Sequence, residues 1–80
     1  MKAILEFNLD EGDDKAAHLR AIKALDMAIA LWDMDEYLRG QIKYASDLMP
    51  IEVYKSLEGV RDQLREIMNE RSIDLDELLK

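Results

Sequence analysis

Apolar and polar side chains alternate along the first nine residues, which is the pattern of a β-strand lying with one face on a core. We therefore predict a strand over residues 1–9. Its core-facing residues would be Ala3, Leu5, Phe7 and Leu9. No other segment has a strand pattern, and an unpaired strand exposes backbone N–H and C=O groups that need partners. The sequence thus predicts pairing with another chain, either the same strand of a second copy in a two-fold homodimer or the sheet edge of a different protein.

The rest of the chain carries apolar residues at three- and four-residue spacing, which is typical of amphipathic helices. We predict helices over about residues 14–23, 27–45, 50–70 and 75–79. Asp26 is of a residue type that caps helix N-termini, so we place a break there; a single helix over 14–45 is the alternative. Pro50 suits the first turn of the third helix, and the short loop before it makes the second and third helices an antiparallel hairpin.

Two apolar stripes would form the core of this hairpin. In the second helix the stripe comprises Met27, Leu31, Met34, Leu38, Ile42 and Ala45, widened by Ile29 and Trp32, and in the third it comprises Val53, Tyr54, Leu57, Val60, Leu64, Ile67 and Met68. The predicted fold class is α+β and mostly α: one N-terminal strand, a helical hairpin and short flanking helices in a single domain, residues 1–80. The strand would pair across a homodimer, with helices covering one face of the two-stranded ribbon.

Composition narrows the classes of function. Eighteen acidic and eleven basic residues among 80 give a formal net charge of −7, and the basic residues are interspersed, so binding to nucleic acid is not expected. The chain has no cysteine, and therefore neither a disulfide nor a thiolate metal site. Its first apolar run is broken by Glu6 and is too short for a signal peptide or a membrane span. We predict a cytoplasmic protein with no membrane partner.

No arrangement of residues indicates catalysis. The glycines do not form a phosphate-binding loop, His18 is the single histidine, and no serine lies in a nucleophile motif. Of the three acids Asp33, Asp35 and Glu36, Asp33 and Glu36 would lie one turn apart on a solvated helix face, and Asp35 would pair with Arg39 four residues on. We therefore predict no enzyme activity, no metal site and no cofactor.

A surface feature on the second helix is more specific. Tyr37, Gly40 and Tyr44 lie about one turn apart on one flank, with Arg39 and Lys43 beside them. A glycine within a helix costs about 0.5 to 1 kcal/mol relative to alanine, so a notch at Gly40 indicates close packing. Because tyrosine and arginine are enriched at interface hot spots, these five residues form a candidate surface for a partner or ligand. Packing inside the chain or the dimer is the other interpretation.

The block Ala30–Arg39, followed by Ile42, Lys43 and Tyr44, resembles a block in small uncharacterised proteins of tailed phages and prophages. The order of a strand ending in acids, a short helix, this Trp-Asp block and a final helix is similar as well. That family often has glycine or asparagine between its first two helices, where this chain has Lys-Ala-Leu-Asp at 23–26. The resemblance assigns no catalytic or binding residues, but it implies an accessory protein that binds a host protein.

We accordingly expect a non-enzymatic phage accessory protein that acts through protein–protein contacts in the host cytoplasm, for example as an inhibitor of a host defence or regulatory protein. The alternative is a sponge for a small molecule or nucleotide, with its site at the dimer seam near Arg39, Lys43 and Tyr44. A homodimer is expected in both cases.

Overall fold

All 80 residues are described by a computed structural model, which contains three helices and no strand. The helices are α1, Gly12–Lys43; α2, Ile51–Glu70; and α3, Leu75–Leu78. α1 and α2 form a hairpin around the loop at 44–50, and α3 folds back onto α1. The hairpin predicted from the apolar spacing is confirmed, whereas the α+β fold class is wrong.

The N-terminal strand predicted over residues 1–9 is absent, because the chain offers it no second strand. A period-two pattern describes only how side chains alternate, while the ladder of hydrogen bonds that makes a strand needs a partner. Three of the four residues predicted to face a core are exposed, namely Ala3, Leu5 and Leu9. Only Phe7 packs, with its ring centroid 5.5 Å from that of His18 in an edge-on contact. Strand pairing across a homodimer therefore has no basis in this fold.

Asn8 connects the N-terminal segment to the start of α1. Its side-chain oxygen accepts a hydrogen bond from the backbone N–H of Asp10 at 3.1 Å, and its C=O accepts one from the N–H of Glu11 at 3.1 Å. Its own N–H donates to the carboxylate of Asp14 at 2.9 Å. These bonds close a turn directly before the helix, so the helix begins within the acidic segment where carboxylates favour a helix N-terminus.

α1 runs without a break for 32 residues, a length of about 48 Å. The break expected at Asp26 is not found, and the alternative, one continuous helix, is what the structure shows. The carboxylate of Asp26 lies in solvent, 3.9 Å from Nζ of Lys23. Because this side chain makes no bond to nearby backbone N–H groups, it does not compete with the helix.

The hairpin is built around a seam of side chains that are buried or half-buried. The members of this seam are Ala28, Leu31, Asp35, Leu38 and Ile42 in α1 and Tyr54, Leu57, Arg61, Leu64 and Met68 in α2. In both helices the spacing alternates between three and four residues, which is the pattern of an antiparallel coiled coil. Several residues of the predicted stripes are instead more than 40 % exposed: Met27, Met34, Val53, Val60 and Ile67.

α2 ends in a Schellman motif, in which one residue takes a left-handed backbone conformation. That residue is Ser72, with φ of 56°, and its N–H donates to the C=O of Asn69 at 3.1 Å. The N–H of Ile73 donates to the C=O of Met68 at 2.8 Å. Glycine is the usual residue at this position, because a side chain in the left-handed region meets steric strain.

Asp74 caps the short helix α3 and so directs the chain back to the hairpin. Its carboxylate accepts from the backbone N–H groups of Asp76 and Glu77 at 3.0 and 3.3 Å. The cap had a sequence signal, since aspartate is a preferred N-cap residue. It brings the C-terminal segment into the one buried apolar cluster of the molecule, formed by Ala28, Met68 and Leu75.

The left-handed backbone conformation of Ser72 leads to a prediction about stability. Ser72→Gly should raise the free energy of unfolding by about 0.5 to 1 kcal/mol, because glycine adopts positive φ without strain. Urea denaturation followed by circular dichroism measures the change. The matched control is Ser56→Gly on the exposed face of α2, which should lower stability by about 0.5 kcal/mol, since glycine is a poor helix former. Destabilisation by both changes would contradict the motif.

Candidate functional site

α2 covers only part of α1. It has 20 residues, about 30 Å of helix, and it packs along the C-terminal half of the longer helix as far as Ala28. The N-terminal half of α1 extends beyond it, which gives the molecule an elongated shape of 56 × 30 × 19 Å. The first sixteen residues of α1 therefore have no helix of this chain beside them.

α1 also carries exposed apolar side chains on the faces that α2 does not cover, both in its first sixteen residues and beside the hairpin. One set, which we call the second seam, consists of Ile22, Leu25, Ile29 and Trp32. Met27 and Met34 lie on a different flank, and Leu19 and Tyr37 on a third. A helix that is apolar around its whole circumference is normally buried on all sides. These side chains are exposed in the single chain, so α1 presents surfaces that another molecule could cover.

A buried ion pair lies in the middle of the hairpin seam. Arg61 donates from Nε to Oδ1 of Asp35 at 3.1 Å and from Nη2 to Oδ2 at 3.3 Å, a two-point contact. Arg65 lies at the rim, with Nε 3.5 Å from the same Oδ1. The side chains of Asp35 and Arg61 are only 10 % and 20 % exposed. The two hydrogen bonds fix the position of α2 relative to α1 at this point of the seam.

The pair shifts the pKa of both partners in the direction that keeps them charged. The hydrogen bond from Arg61 lowers the pKa of Asp35, and together with the charges of Arg61 and Arg65 it outweighs the opposing effect of burial. The hydrogen bond to Asp35 raises the pKa of Arg61. The predicted pairing of Asp35 with Arg39 is wrong, because Asp35 faces α2 rather than solvent. Arg39 instead lies 3.5 Å from Oε2 of Glu36.

The sequence did contain a signal for this pair. Asp35 stands between Leu31 and Leu38 at three- and four-residue spacing, and Arg61 holds the equivalent place in α2. Opposite charges at interior heptad positions of two antiparallel helices indicate a buried pair that sets their register. The signal is visible only when polar residues are counted among the seam positions.

The five residues of the candidate partner surface, Tyr37, Arg39, Gly40, Lys43 and Tyr44, lie together at the C-terminal end of α1; we call them the tyrosine patch. The side chains of Tyr37 and Tyr44 are 61 % and 77 % exposed, and Nζ of Lys43 lies 5.4 Å from the ring centroid of Tyr44. A Cβ added at Gly40 would meet no atom within 4 Å. Packing inside the chain therefore does not explain this glycine, and the patch is free to contact another molecule.

An open groove lies elsewhere, between α1 and the C-terminal segment. Its lining includes Trp32, Asp35, Arg65, Asn69, Ile73 and Asp74. None of these residues belongs to the tyrosine patch, so the groove is not the ligand site expected near Arg39 and Lys43. No group of three acidic or histidine side chains is placed to hold a metal ion. No helix is long and apolar enough to cross a membrane.

Comparisons with protein-family models, curated proteins and solved structures find no match to this chain. The class of protein is therefore described by its fold alone, which is a two-helix hairpin with one long, partly uncovered helix. The resemblance to small phage proteins and the small-molecule alternative stay predictions.

Removing one partner of the ion pair should destabilise the hairpin. Asp35→Ala leaves Arg61 buried without its carboxylate, and we expect a loss of about 2 to 3 kcal/mol in the free energy of unfolding. Asp35→Leu combined with Arg61→Leu should recover most of this loss, because the seam becomes apolar throughout. The control is Asp33→Ala, which changes an exposed acid on the same helix and should shift stability by less than about 0.5 kcal/mol. If Asp35→Ala and Asp33→Ala lower the free energy of unfolding equally, the buried pair is contradicted.

The lowered pKa of Asp35 also predicts a pH dependence. Because the carboxyl has a lower pKa in the folded chain than in the unfolded one, its contribution is complete above the ordinary value of about 3.9 and disappears as pH falls through the folded value. The melting temperature of the wild type should thus fall more steeply below about pH 4 than that of Asp35→Asn. Thermal melts across the acidic range measure both slopes. If the melting temperatures of the wild type and Asp35→Asn fall in parallel, Asp35 does not contribute to the loss of stability in acid.

Proposed function

We propose that this protein is a non-enzymatic interaction protein that works by docking other protein chains onto α1. The observation that carries the proposal is the amount of surface left uncovered. The chain exposes 7005 Å², whereas a compact monomer of 9.3 kDa exposes about 5,000 Å², so about 2,000 Å² is in excess. A standard protein interface needs about 800 Å² from each partner. The excess therefore leaves room for more than one partner.

The shape supports the same proposal. The radius of gyration is 17.8 Å, against about 12 Å for a compact domain of this length. The extra length comes from the uncovered half of α1, which carries large apolar side chains such as Ile22 and Leu25, 59 % and 58 % exposed. Contiguous exposed apolar surface on a small protein marks an interaction site.

The tyrosine patch is the proposed docking surface for a different protein. Two exposed tyrosine rings flank the notch at Gly40, so a side chain of the partner can approach the helix backbone between them. Lys43 gives the patch a positive charge within a chain of net charge −7, whereas Arg39 is paired with Glu36 at 3.5 Å. Buried tyrosine and arginine contribute most at interface centres. The complementary partner surface would thus insert a side chain into the notch and present acids at its rim.

The resemblance to small phage proteins supports an accessory role for this docking. An accessory protein encoded by a phage would meet its target in the host cytoplasm, and a host defence or regulatory protein is the proposed target class. The non-enzymatic role follows the same reasoning, since docking requires only the exposed surface of α1.

A capture experiment with matched variants tests the docking surface. Wild type, a Tyr37→Ser/Tyr44→Ser variant and a Leu48→Ser/Val60→Ser control are immobilised and exposed to lysate of the organism that carries the gene. Both variants replace two exposed apolar side chains, but the control residues lie outside the patch. The expected result is a protein retained by wild type and control and lost by the patch variant.

The captured protein, once purified, should bind the patch variant at least about tenfold more weakly than the control, because hot-spot truncations cost more than 1 kcal/mol. Circular dichroism of the variants checks that the helices are intact. If every captured protein binds the patch variant as well as the wild type, the proposed docking surface is wrong.

A further inference from the structure

The geometry of the second seam points to a second copy of this chain as its occupant: we propose that two copies pack antiparallel along α1, about a two-fold axis near Met27. The second seam shares no residue with the tyrosine patch, although Arg39 and Lys43 of the patch lie near the ends of the proposed contact. Its contacts are between helices, and Phe7, which packs on His18 one turn before Ile22, lies at each end of the seam.

The second seam has the spacing of a helix–helix contact. Ile22, Leu25, Ile29 and Trp32 follow one another at intervals of three, four and three residues, the same alternation as in the seam that α2 fills. Such a stripe accepts the facing stripe of another helix by knobs-into-holes packing. All four side chains are exposed in the single chain. α1 thus has one seam that is filled within the chain and a second that is exposed, with Trp32 at its end bordering the groove beside α3.

The position of the seam favours a two-fold, antiparallel partner. The seam extends from residue 22 to residue 32, and its midpoint at residue 27 coincides with the middle of α1, Gly12–Lys43. An antiparallel copy centred there overlaps α1 along its full length. Leu25 then faces Ile29 of the second copy, and Ile22 faces its Trp32. The seam is therefore complementary to itself, as a two-fold interface requires.

The antiparallel direction also covers the part of α1 that α2 leaves bare. The N-terminal half of each α1 lies beside the hairpin of the other copy, so each end of the dimer contains three helices. A parallel pair would place the two uncovered halves together without a third helix. The direction is thus set by the unequal lengths of α1 and α2.

Charge supports the same direction. The acidic start of α1, with Asp14, lies beside Arg39 and Lys43 near the basic end of the second copy, whereas a parallel pair would place like charges side by side. Two copies of Asp26 meet near the axis, and Lys23, 3.9 Å from Asp26 in each copy, offsets their repulsion. The excess surface of about 2,000 Å² per chain exceeds the roughly 800 Å² that each partner of a stable dimer contributes.

The mass in solution is the first measurement. Sedimentation equilibrium at micromolar concentration should give the mass of a dimer for the wild type and of a monomer for Leu25→Gln/Ile29→Gln. The dissociation constant of this variant should rise about 100-fold, since two central apolar contacts are lost. The control, Leu19→Gln/Met34→Gln, also replaces two exposed apolar side chains of α1 but lies outside the seam and should remain a dimer. A monomeric wild type would overturn the proposal.

Cysteine cross-linking tests the direction and does not depend on the stability of a monomer. The chain has no cysteine, so Ile22→Cys and Trp32→Cys each introduce a single thiol. In the antiparallel dimer, equivalent residues at either position are separated by about 15 Å along the helices, too far for a disulfide. Neither variant should cross-link with itself under oxidation, but their mixture should give a disulfide-linked dimer.

Cross-linking of either single variant with itself would show a parallel pair and overturn the arrangement. In another outcome, the wild type is a monomer that captures a lysate protein, while the Leu25→Gln/Ile29→Gln variant alone does not capture it. That result would assign the second seam to a different protein. Binding by the tyrosine patch is measured separately, with variants that leave the second seam unchanged. Failure of self-association is therefore distinguishable from failure of the proposed function.

Discussion

The ion pair between Asp35 and Arg61 lies in the middle of a seam whose other members are mostly apolar. Apolar contacts between two helices are similar in several registers, but a shift of α2 by one heptad would place this carboxylate beside Tyr54 or Met68 instead of Arg61. A buried charge without its partner costs several kcal/mol, so only one register is stable. That register sets where α2 ends, and hence where the Schellman motif and the Asp74 cap return the chain to Ala28.

The same register determines how much of α1 stays uncovered. A helix of 32 residues beside one of 20 leaves its first half without a neighbour, and only five of the 80 residues are buried. A core this small offers little free energy against the entropy of ordering the chain. Binding to the folded state alone would add stability by mass action, so the proposed association would be linked to folding. The surface proposed for recognition would thereby also complete the fold.

The elements that depend on local chemistry could be predicted from the sequence, and those that depend on a partner could not. Apolar spacing and Pro50 were sufficient for the hairpin, and the last helix was predicted over residues 75–79, close to its observed bounds. The strand over residues 1–9 failed because pairing requires a second strand, which a side-chain pattern cannot supply. The face of α1 that packs on α2 was ambiguous, because apolar residues occur all around the helix. Met27 and Met34 were therefore expected in the core, but both are exposed. Asp35 was assigned to solvent because a charged residue was not considered as part of an apolar seam.

The proposed dimer would change what the tyrosine patch can do. The patch lies at the C-terminal end of α1 and Tyr37 and Tyr44 point about a quarter turn away from the second seam, so the dimer leaves both rings accessible. An antiparallel pair places its two patches at opposite ends of a rod about 48 Å long. Such a dimer can bind two copies of a target at a defined separation, and a target that is itself oligomeric would be held by both ends at once. Its second contact then forms at a high effective concentration, so weak binding at each patch can give tight binding overall.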